Sequence, residues 1–453
     1  MNEDFQGSRR TGMKLRRTKN ESGSMALRIF LSLALLMTFR TFQFFPGMQY
    51  LQEAWFALCL LATVTIYPIW KIRRGLRLSY FELYLLIVIP VAVVLPAWEA
   101  QREFGQPLLY GLLSQRFLAL VASLLLLLNG LHYRLVRIAD LEAALLIAAW
   151  GTSVLYLAMQ IFLNPANFVG AGTSFVLVVN GQAAFKLPTE FIVYGVLYYV
   201  LRGVRTKTAK YYLAAALLFA GTMGGAGNGR MAMISLVLSL GFFVYRWLPM
   251  RQFLVITVKF CFIAIVVIGI AYVTSPTFLT QRTAAFSDAF RVTVSASEVD
   301  NPSANVRLLE VLTAIPYIEK NPLLGNGSLS AQWQGGVQGA LGAFFFPADI
   351  GLVGGVFVFG VFGTILMGCQ YWFALLAAQR VPSSLMSPLA DAAKAFLLYS
   401  AISSFSVCYF VFFPERTLFF VTLLFGIAFQ MPDLLGTSKE MALCGPQEPV
   451  LSA

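Results

Sequence analysis

The sequence predicts an all-α, polytopic membrane protein with about twelve transmembrane helices. Apolar stretches of about 17–25 residues recur between Met25 and Met431, each long enough to cross a bilayer as a helix. Hydrophobic residues make up 58% of the 453 residues and charged residues only 12%. Because soluble domains carry about 25% charged residues, the composition excludes a soluble protein.

The predicted spans divide the chain into one compact membrane domain with a single long interruption. In chain order they are 26–45, 52–70, 80–96, 108–130, 141–163, 186–202, 211–226, 231–247, 252–274, 350–373, 389–412 and 417–431. The domains are therefore a basic tail (1–25), helices one to nine (26–274), a long loop (275–349), helices ten to twelve (350–431) and a second tail (432–453).

The basic residues predict the orientation. They concentrate in alternate loops, on the same side as the basic N-terminal tail, at 71–77, 134–137, 202–210, 246–251 and Arg380. The positive-inside rule places these loops and both termini in the cytoplasm. The loops around 97–107, 164–185, 226–230, 275–349 and 412–416 then face outward. The net charge of +12 is thus a topology signal and does not indicate a nucleic-acid partner.

The long outer loop contains the pattern of a short amphipathic helix. Asn301-Pro302-Ser303 predicts its start, and Val306, Leu309, Leu312 and Ile315 recur at helical spacing. Pro316 and Asn321-Pro322 predict its end. Such a helix lies flat on the outer leaflet or caps a cavity between spans.

A glycine-rich turn followed by Arg230 is a candidate anion site. Residues 224–229 are Gly-Gly-Ala-Gly-Asn-Gly, and Arg230 would open the next helix on the outer side. Clustered backbone N–H groups and a helix N-terminus favour an anion, and a guanidinium suits phosphate oxygens. The alternative is a tight turn with an arginine that reaches the interface.

Three residues of the long outer loop are further candidates. Arg307 could bind a diphosphate while Glu310 accepts a proton from a hydroxyl, and Asp349 is another outer carboxylate. The alternative for the first two is a surface ion pair of small energetic value.

Arginines within or beside the spans form another set. Arg116 falls inside the fourth span, where a charge is costly unless it faces a polar cavity or a carboxylate. Lys186 with Glu190, and Glu415 with Arg416, lie at outer ends of spans and are more often local ion pairs than catalysts. No cofactor is expected and nothing requires a metal, because the chain has no CxxC, one histidine (His132) and no Asp-x-Asp pair.

Several of these segments together resemble the O-antigen polymerase (Wzy) and O-antigen ligase superfamily of bacterial inner-membrane proteins. The matching motifs are Gly229-Arg230-Met231-Ala232-Met233, Asn305-Val306-Arg307, Asn321-Pro322-Leu323-Leu324-Gly325-Asn326-Gly327 and Ala348-Asp349-Ile350-Gly351-Leu352-Val353-Gly354. The resemblance covers about 220–365, and earlier spans match only in being apolar. Arg230 and Gly241 also have the arginine-to-glycine spacing described for polymerases, although such a pairing arises easily by chance.

The resemblance implies a GT-C-like glycosyltransferase that needs no metal. Its donor would be a glycan on undecaprenyl diphosphate at the outer face of the inner membrane, beside a flippase and a chain-length regulator of the same pathway. Arg230 and Arg307 match the arginines that hold the diphosphate, and Asp349, Glu310 or Glu415 would activate the acceptor. Further expected substrate contacts are Arg116, Arg282, Arg291, Lys186, Glu415, Arg416, Gly229, Asn305, Gly325 and Gly327.

One departure favours a polymerase over a ligase. Ligases carry a histidine just before the segment that contains Asp349, and 340–346 has none. A polymerase of exopolysaccharide, capsule or O-antigen repeats is therefore the leading hypothesis. The ligase, a lipid-linked oligosaccharide transporter or flippase, and a structural subunit of an export complex are the alternatives.

Overall fold

Within the residues that the structure describes, the protein is a bundle of helices with one small hairpin. The computed structural model describes residues 25–43, 45, 47–74, 78–168, 176–179, 182–185, 188–223, 230–247, 302–381 and 388–434. In this part of the chain the helices before the long loop are α1 (Met25–Thr38), α2 (Gln49–Arg74), α3 (Tyr80–Phe104), α4 (Leu108–Gln115), α5 (Ser123–His132), α6 (Ile138–Phe162), α7 (Glu190–Thr206), α8 (Ala209–Met223) and α9 (Arg230–Trp247).

The second half of the chain adds the remaining elements. Its helices are α10 (Pro302–Lys320), α11 (Gly336–Leu341), α12 (Gly351–Arg380), α13 (Pro388–Ser403), α14 (Tyr409–Phe412) and α15 (Pro414–Leu434). Short 3₁₀ turns cover Arg116–Ala122, Pro165–Phe168 and Pro347–Ile350. Strands β1 (Val176–Val179) and β2 (Gln182–Phe185) pair antiparallel in the predicted outer loop 164–185, a departure from the all-α prediction.

Five helices in the described ranges are long and apolar enough to cross a membrane. They are Gln49–Arg73, Tyr80–Phe104, Leu108–His132, Ile138–Met159 and Pro347–Arg380, and shorter apolar helices cover Met25–Thr38, Ala209–Phe219 and Met231–Arg246. A helical, membrane-embedded protein is therefore confirmed. The count of twelve spans stays a prediction, since the ninth span, 252–274, lies outside the described residues.

Several observed helices differ from the predicted spans because polar residues extend or end them. Helix α3 continues beyond residue 96 to Phe104, and Gly105 ends it in the left-handed conformation, with φ +73°. Ser79 caps its start, since its side chain accepts the backbone N–H of Glu82. The span 389–412 is instead the shorter helix α13, a turn and the single-turn helix α14.

Ion pairs between helices connect segments that the sequence assigns to the same side. On the predicted cytoplasmic side, Arg28 pairs with Asp140 at 2.9 Å and Lys71 with Glu82 at 2.6 Å. The predicted outer pairs are Arg40–Glu415, Arg416–Glu190, Arg116–Glu53 and Lys320–Glu103. These contacts support the alternation of the predicted spans, and the cytoplasmic placement of the termini rests on the basic loops.

Candidate functional site

Helix α10 carries two of the candidate residues and starts where the sequence predicts, at Pro302. Of the two predicted ends, Asn321-Pro322 is confirmed, because α10 ends at Lys320, and Pro316 is wrong, because it lies within the helix. A proline within a helix costs about 3 kcal/mol. Contacts of the turn after Pro316 offset this cost: the Tyr317 ring lies 6.0 Å from the Phe357 ring, and Lys320 Nζ lies 2.7 Å from Glu103 Oε2.

The loop after α10 fills a break in helix α12. Gly360 has φ +65° and ψ −179°, so the helical hydrogen bonds are interrupted there. The backbone N–H groups of Val361 and Phe362 donate instead to the carbonyls of Pro322 and Leu323, at 2.8 and 3.1 Å. Free backbone groups are costly away from water, so this pairing fixes the loop against α12.

The loop returns past the same helix and then past α3. The backbone N–H of Asn326 donates to the Phe357 carbonyl at 2.8 Å, and that of Gly327 donates to Val358 at 3.0 Å. Ser328 N–H donates to the carbonyl of Pro96, a proline within α3, at 3.1 Å. The segment 321–328, which contains the motif, therefore connects two membrane helices through backbone contacts.

The glycines of this motif are required by packing. Gly325 and Gly327 have φ of +77° and +81°. A Cβ on Gly325 would lie 2.4 Å from the backbone nitrogen of Gly360, and one on Gly327 would lie 2.2 Å from that of Ala100. The space beside both glycines is thus occupied by the protein's own backbone, which accounts for them without a substrate contact.

Glu310 is the buried carboxylate of helix α10. The residue is 1% exposed, and its Oε1 accepts the backbone N–H of Phe346 at 3.0 Å. Its Oε2 is buried and has no hydrogen-bond partner among the described atoms. Arg307 lies one turn earlier on α10 and is exposed, as is Asp349 in the 3₁₀ turn after Phe346.

The surroundings of Glu310 change its acidity. Burial raises the pKa of the Glu310 carboxyl to about 7, from an ordinary value of about 4.5. The Phe346 N–H and the Arg307 charge oppose this rise in pKa, whereas the Asp349 charge adds to it. Arg307, Glu310 and Asp349 therefore form one electrostatically linked group, named here the Glu310 site. A carboxyl with this pKa exchanges its proton near neutral pH, as a general acid or base must.

A second group of charges lies between α1, α7 and α15 and is named here the buried cluster. Arg40 follows α1 and donates twice to Glu415 Oε1, from Nε at 2.9 Å and from Nη2 at 2.7 Å. Its Nη2 also donates to the Phe412 carbonyl at 3.1 Å. Arg40 is 9% exposed and Glu415 is fully buried.

Arg416 completes the buried cluster. It pairs with Glu190 at the start of α7, and its Nη2 donates to the Phe39 carbonyl at 3.3 Å. The Phe413 ring lies under both guanidinium groups, 4.2 Å from Cζ of Arg416 and 5.0 Å from Cζ of Arg40. Glu415 and Arg416, expected to be a local pair, thus each bind a distant partner.

Sequence reasoning did not identify Arg40. It lies within the predicted first span, 26–45, where the argument used for Arg116 applies equally. An arginine toward the outer end of a span was therefore an available signal. Its acidic partner was not predictable, because Glu415 lies at the other end of the chain.

Arg116 has a different environment. Its Nε donates to Glu53 Oε2 at 3.0 Å, and its guanidinium lies 4.6 Å from the centre of the Phe117 ring. The two side chains are 31% and 41% exposed. A carboxylate partner is one of the two environments that the sequence predicts for Arg116. The pair joins the start of α2 to the 3₁₀ turn after α4, and no residue of the Glu310 site takes part in it.

The remaining candidates fall into two groups. Arg230 is the first residue of α9, which packs against α7 and α13, and Asn305 is half-buried on α10. Arg282, Arg291, Lys186 and Gly229 lie outside the described residues. The structure therefore brings Arg307, Glu310 and Asp349 together and places Arg116 and the Glu415–Arg416 pair elsewhere.

No protein-family model matches the chain, and no curated protein matches its sequence.

Proposed function

We propose that the protein is a polysaccharide polymerase that joins repeat units carried on undecaprenyl diphosphate at the outer face of a bacterial inner membrane. The observation that carries the proposal is Glu310, a buried carboxyl with a pKa of about 7 beside the exposed Arg307. The helical, membrane-embedded fold and the motif resemblance support a lipid-linked substrate. In this topology both termini are cytoplasmic, and a flippase and a chain-length regulator would act beside the polymerase.

Each charged group of the Glu310 site has a role in this reaction. Ionised Glu310 takes the proton of the acceptor hydroxyl as the new glycosidic C–O bond forms at the anomeric carbon of the donor. The bond from that carbon to the diphosphate breaks, and undecaprenyl diphosphate leaves with the bonding electrons. Arg307, together with Arg230, stabilises the negative charge that develops on the leaving diphosphate. Asp349 raises the pKa of Glu310 and so keeps its proton exchange near neutral pH.

Glu310 is a better base than the other carboxylates considered. Glu415 is held in an ion pair by Nε and Nη2 of Arg40, whereas Glu310 forms no ion pair with the described residues. Asp349 is exposed and lacks the burial that raises the pKa of Glu310.

Chain-length analysis of the glycan made by single variants tests the proposal. Glu310→Gln, Arg307→Ala and Arg230→Ala should each reduce polymer formation by about 10²–10³-fold and leave single repeats at the cell surface. Glu319→Gln is the matched control for the acid, being exposed on the same helix, and Arg73→Ala is an exposed control at the predicted cytoplasmic end of α2. Polymer of normal length from the first three variants, at normal protein level, would refute the proposal.

A transporter or flippase is the second candidate, because α12 is interrupted at Gly360. Interrupted helices often form the binding sites of transporters. Here, however, the loop of Pro322 and Leu323 takes up the N–H groups at the break. In the same variants a transporter would accumulate lipid-linked repeats inside the cell, and a ligase would leave polymer unattached to its acceptor.

A further inference from the structure

Helix α10 has an apolar face that no described part of the protein covers. Val306, Leu309, Leu312 and Ile315 are 37%, 46%, 55% and 40% exposed. The opposite side of the helix holds the buried Glu310 and packs against α12. An exposed apolar surface of this length on a membrane protein marks a contact with another apolar phase.

Just after α10, the exposed Leu323 lies beside an exposed apolar surface of α12. Phe362 donates its backbone N–H to the Leu323 carbonyl at 3.1 Å, so the two residues lie side by side. Leu323 is 68% exposed and Phe362 is 53% exposed, and Ile365 follows one turn later on α12 at 63%. Phe362 and Ile365 belong to a candidate membrane span.

Two helices place the end of α10 at the membrane boundary. From Gly360 to Arg380, α12 is about 30 Å long, which equals the hydrocarbon thickness of a bilayer. From Tyr80 to Glu103, the partner of Lys320, α3 is about 35 Å long. Arg380 and Tyr80 are the predicted cytoplasmic ends of these two helices. Measured from those ends, both lengths place the loop after α10 near the outer headgroups.

Helix α10 follows the part of α12 that precedes the break. Three contacts join them in chain order: Glu310 to the Phe346 N–H, the Tyr317 ring to the Phe357 ring, and the Pro322 carbonyl to the Val361 N–H. Because residue numbers increase together on both sides, the two segments run in the same direction. The positive φ of Gly360 permits a change of direction at this boundary.

We propose that α10 lies in the outer leaflet, with Leu309 and Leu312 among the upper parts of the acyl chains and Glu310 on the opposite, protein-facing side. Amphipathic helices of this type insert their apolar face about 5–10 Å into the boundary between headgroups and chains. The partner of this face is therefore phospholipid. The consequence that Arg307 meets a diphosphate at headgroup level rests on the proposed function, whereas the position of α10 does not.

Fluorescence quenching measures this position without any activity assay. A small environment-sensitive fluorescent amino acid is encoded at Leu312, and in a second variant at Leu309, in the full chain. The protein is reconstituted into phosphatidylethanolamine–phosphatidylglycerol vesicles. Nitroxide lipids labelled near the headgroup or near the chain end, and aqueous iodide, serve as quenchers. Ile365 is the membrane control and Gln332, which is exposed after the loop, is the water control.

The expected result is quenching at both α10 sites by the shallow nitroxide, about twofold stronger than by the deep one, with little effect of iodide. Ile365 should respond to nitroxide lipid and Gln332 to iodide. Iodide quenching at Leu312 and Leu309 equal to that at Gln332 would place α10 in water and overturn the inference. Protection of both sites from every quencher would show that protein covers the face, and would overturn it as well.

Discussion

The buried cluster and the Glu310 site both lie on the predicted outer side of the membrane, yet their charged residues have different partners. In the buried cluster, Arg40 and Arg416 each face a carboxylate and a backbone carbonyl, and the four charged residues are 9% exposed or less. In the Glu310 site, a buried carboxyl lies beside an exposed arginine, and no carboxylate in the described part of the chain lies within ion-pairing distance of Arg307.

The comparison teaches that an arginine at the outer end of a span does not by itself indicate a substrate site. The guanidinium groups of the buried cluster connect α1, α7 and α15, and a ligand would have to displace their partners. Arg307 has a charge that a ligand can reach, next to a group that can exchange a proton. Partner geometry, rather than residue type, separates the two roles.

The largest expected effect comes from the buried cluster. Arg40→Ala leaves Glu415 as an unpaired buried charge and should destabilise the protein by about 3–5 kcal/mol. The measurement is the thermal unfolding midpoint in detergent, together with the yield of monodisperse protein.

Arg116→Ala is the matched control for this change. Its pair with Glu53 is partly exposed, so its loss should cost no more than about 1 kcal/mol. Equal unfolding midpoints for Arg40→Ala and Arg116→Ala would show that the buried cluster is not a structural connection, and the comparison would fail.

The next effect concerns the loop that positions the Glu310 site. Gly325→Ala places a Cβ against the backbone of Gly360 at a residue with positive φ, and should destabilise the protein by about 3 kcal/mol. Gly241→Ala in α9 is the matched control, because a Cβ there meets nothing within 4 Å. That substitution should be neutral or stabilise the protein by up to about 1 kcal/mol. The measurement is the thermal unfolding midpoint of the two variants. An unchanged midpoint for Gly325→Ala would contradict the close packing of the loop.

The smallest effect is a pH dependence that belongs to Glu310. A carboxyl whose pKa is raised on folding contributes stability that is fully present below about pH 4.5 and is lost as the pH rises through about 7. As the pH rises from about 5 to about 8, the free energy of unfolding of the wild type should therefore decrease by about 2 kcal/mol. The thermal unfolding midpoint should decrease with it. Glu310→Gln should remove this component of the fall.

Asp349→Asn should shift the same transition to lower pH, because the Asp349 charge raises the pKa of Glu310. Polymer formation, if Glu310 is the base, should rise with pH through the same range and move in the same direction in this variant. If Glu310→Gln and the wild type had identical pH profiles of stability and of polymer formation, neither pH dependence would come from Glu310.

The sequence predicted the membrane fold well, because apolar length and basic loops report directly on the bilayer. Most predicted spans agree with helices to within a few residues, and the start of α10 at Pro302 is confirmed. The grouping of Glu310 with Asp349 could be anticipated, since both lie in the predicted outer loop 275–349.

The remaining features depend on contacts between distant parts of the chain. Arg40 and Glu415 meet only because α1 and α15 are neighbours, which no local pattern encodes. The helix that continues past Pro316 and the break at Gly360 are each stabilised by tertiary contacts. Local propensity cannot predict such features, because the free energy that favours them comes from packing.

The backbone hydrogen bonds between the loop 322–328 and helices α3 and α12 also constrain the number of residues between Glu310 and Asn321. Each residue added to a helix rotates what precedes it by about 100°. An insertion between Glu310 and Asn321 would therefore turn the carboxylate away from Phe346, while the loop stayed anchored. Natural variants should keep this interval constant in length, whatever changes in amino-acid identity they accumulate within it.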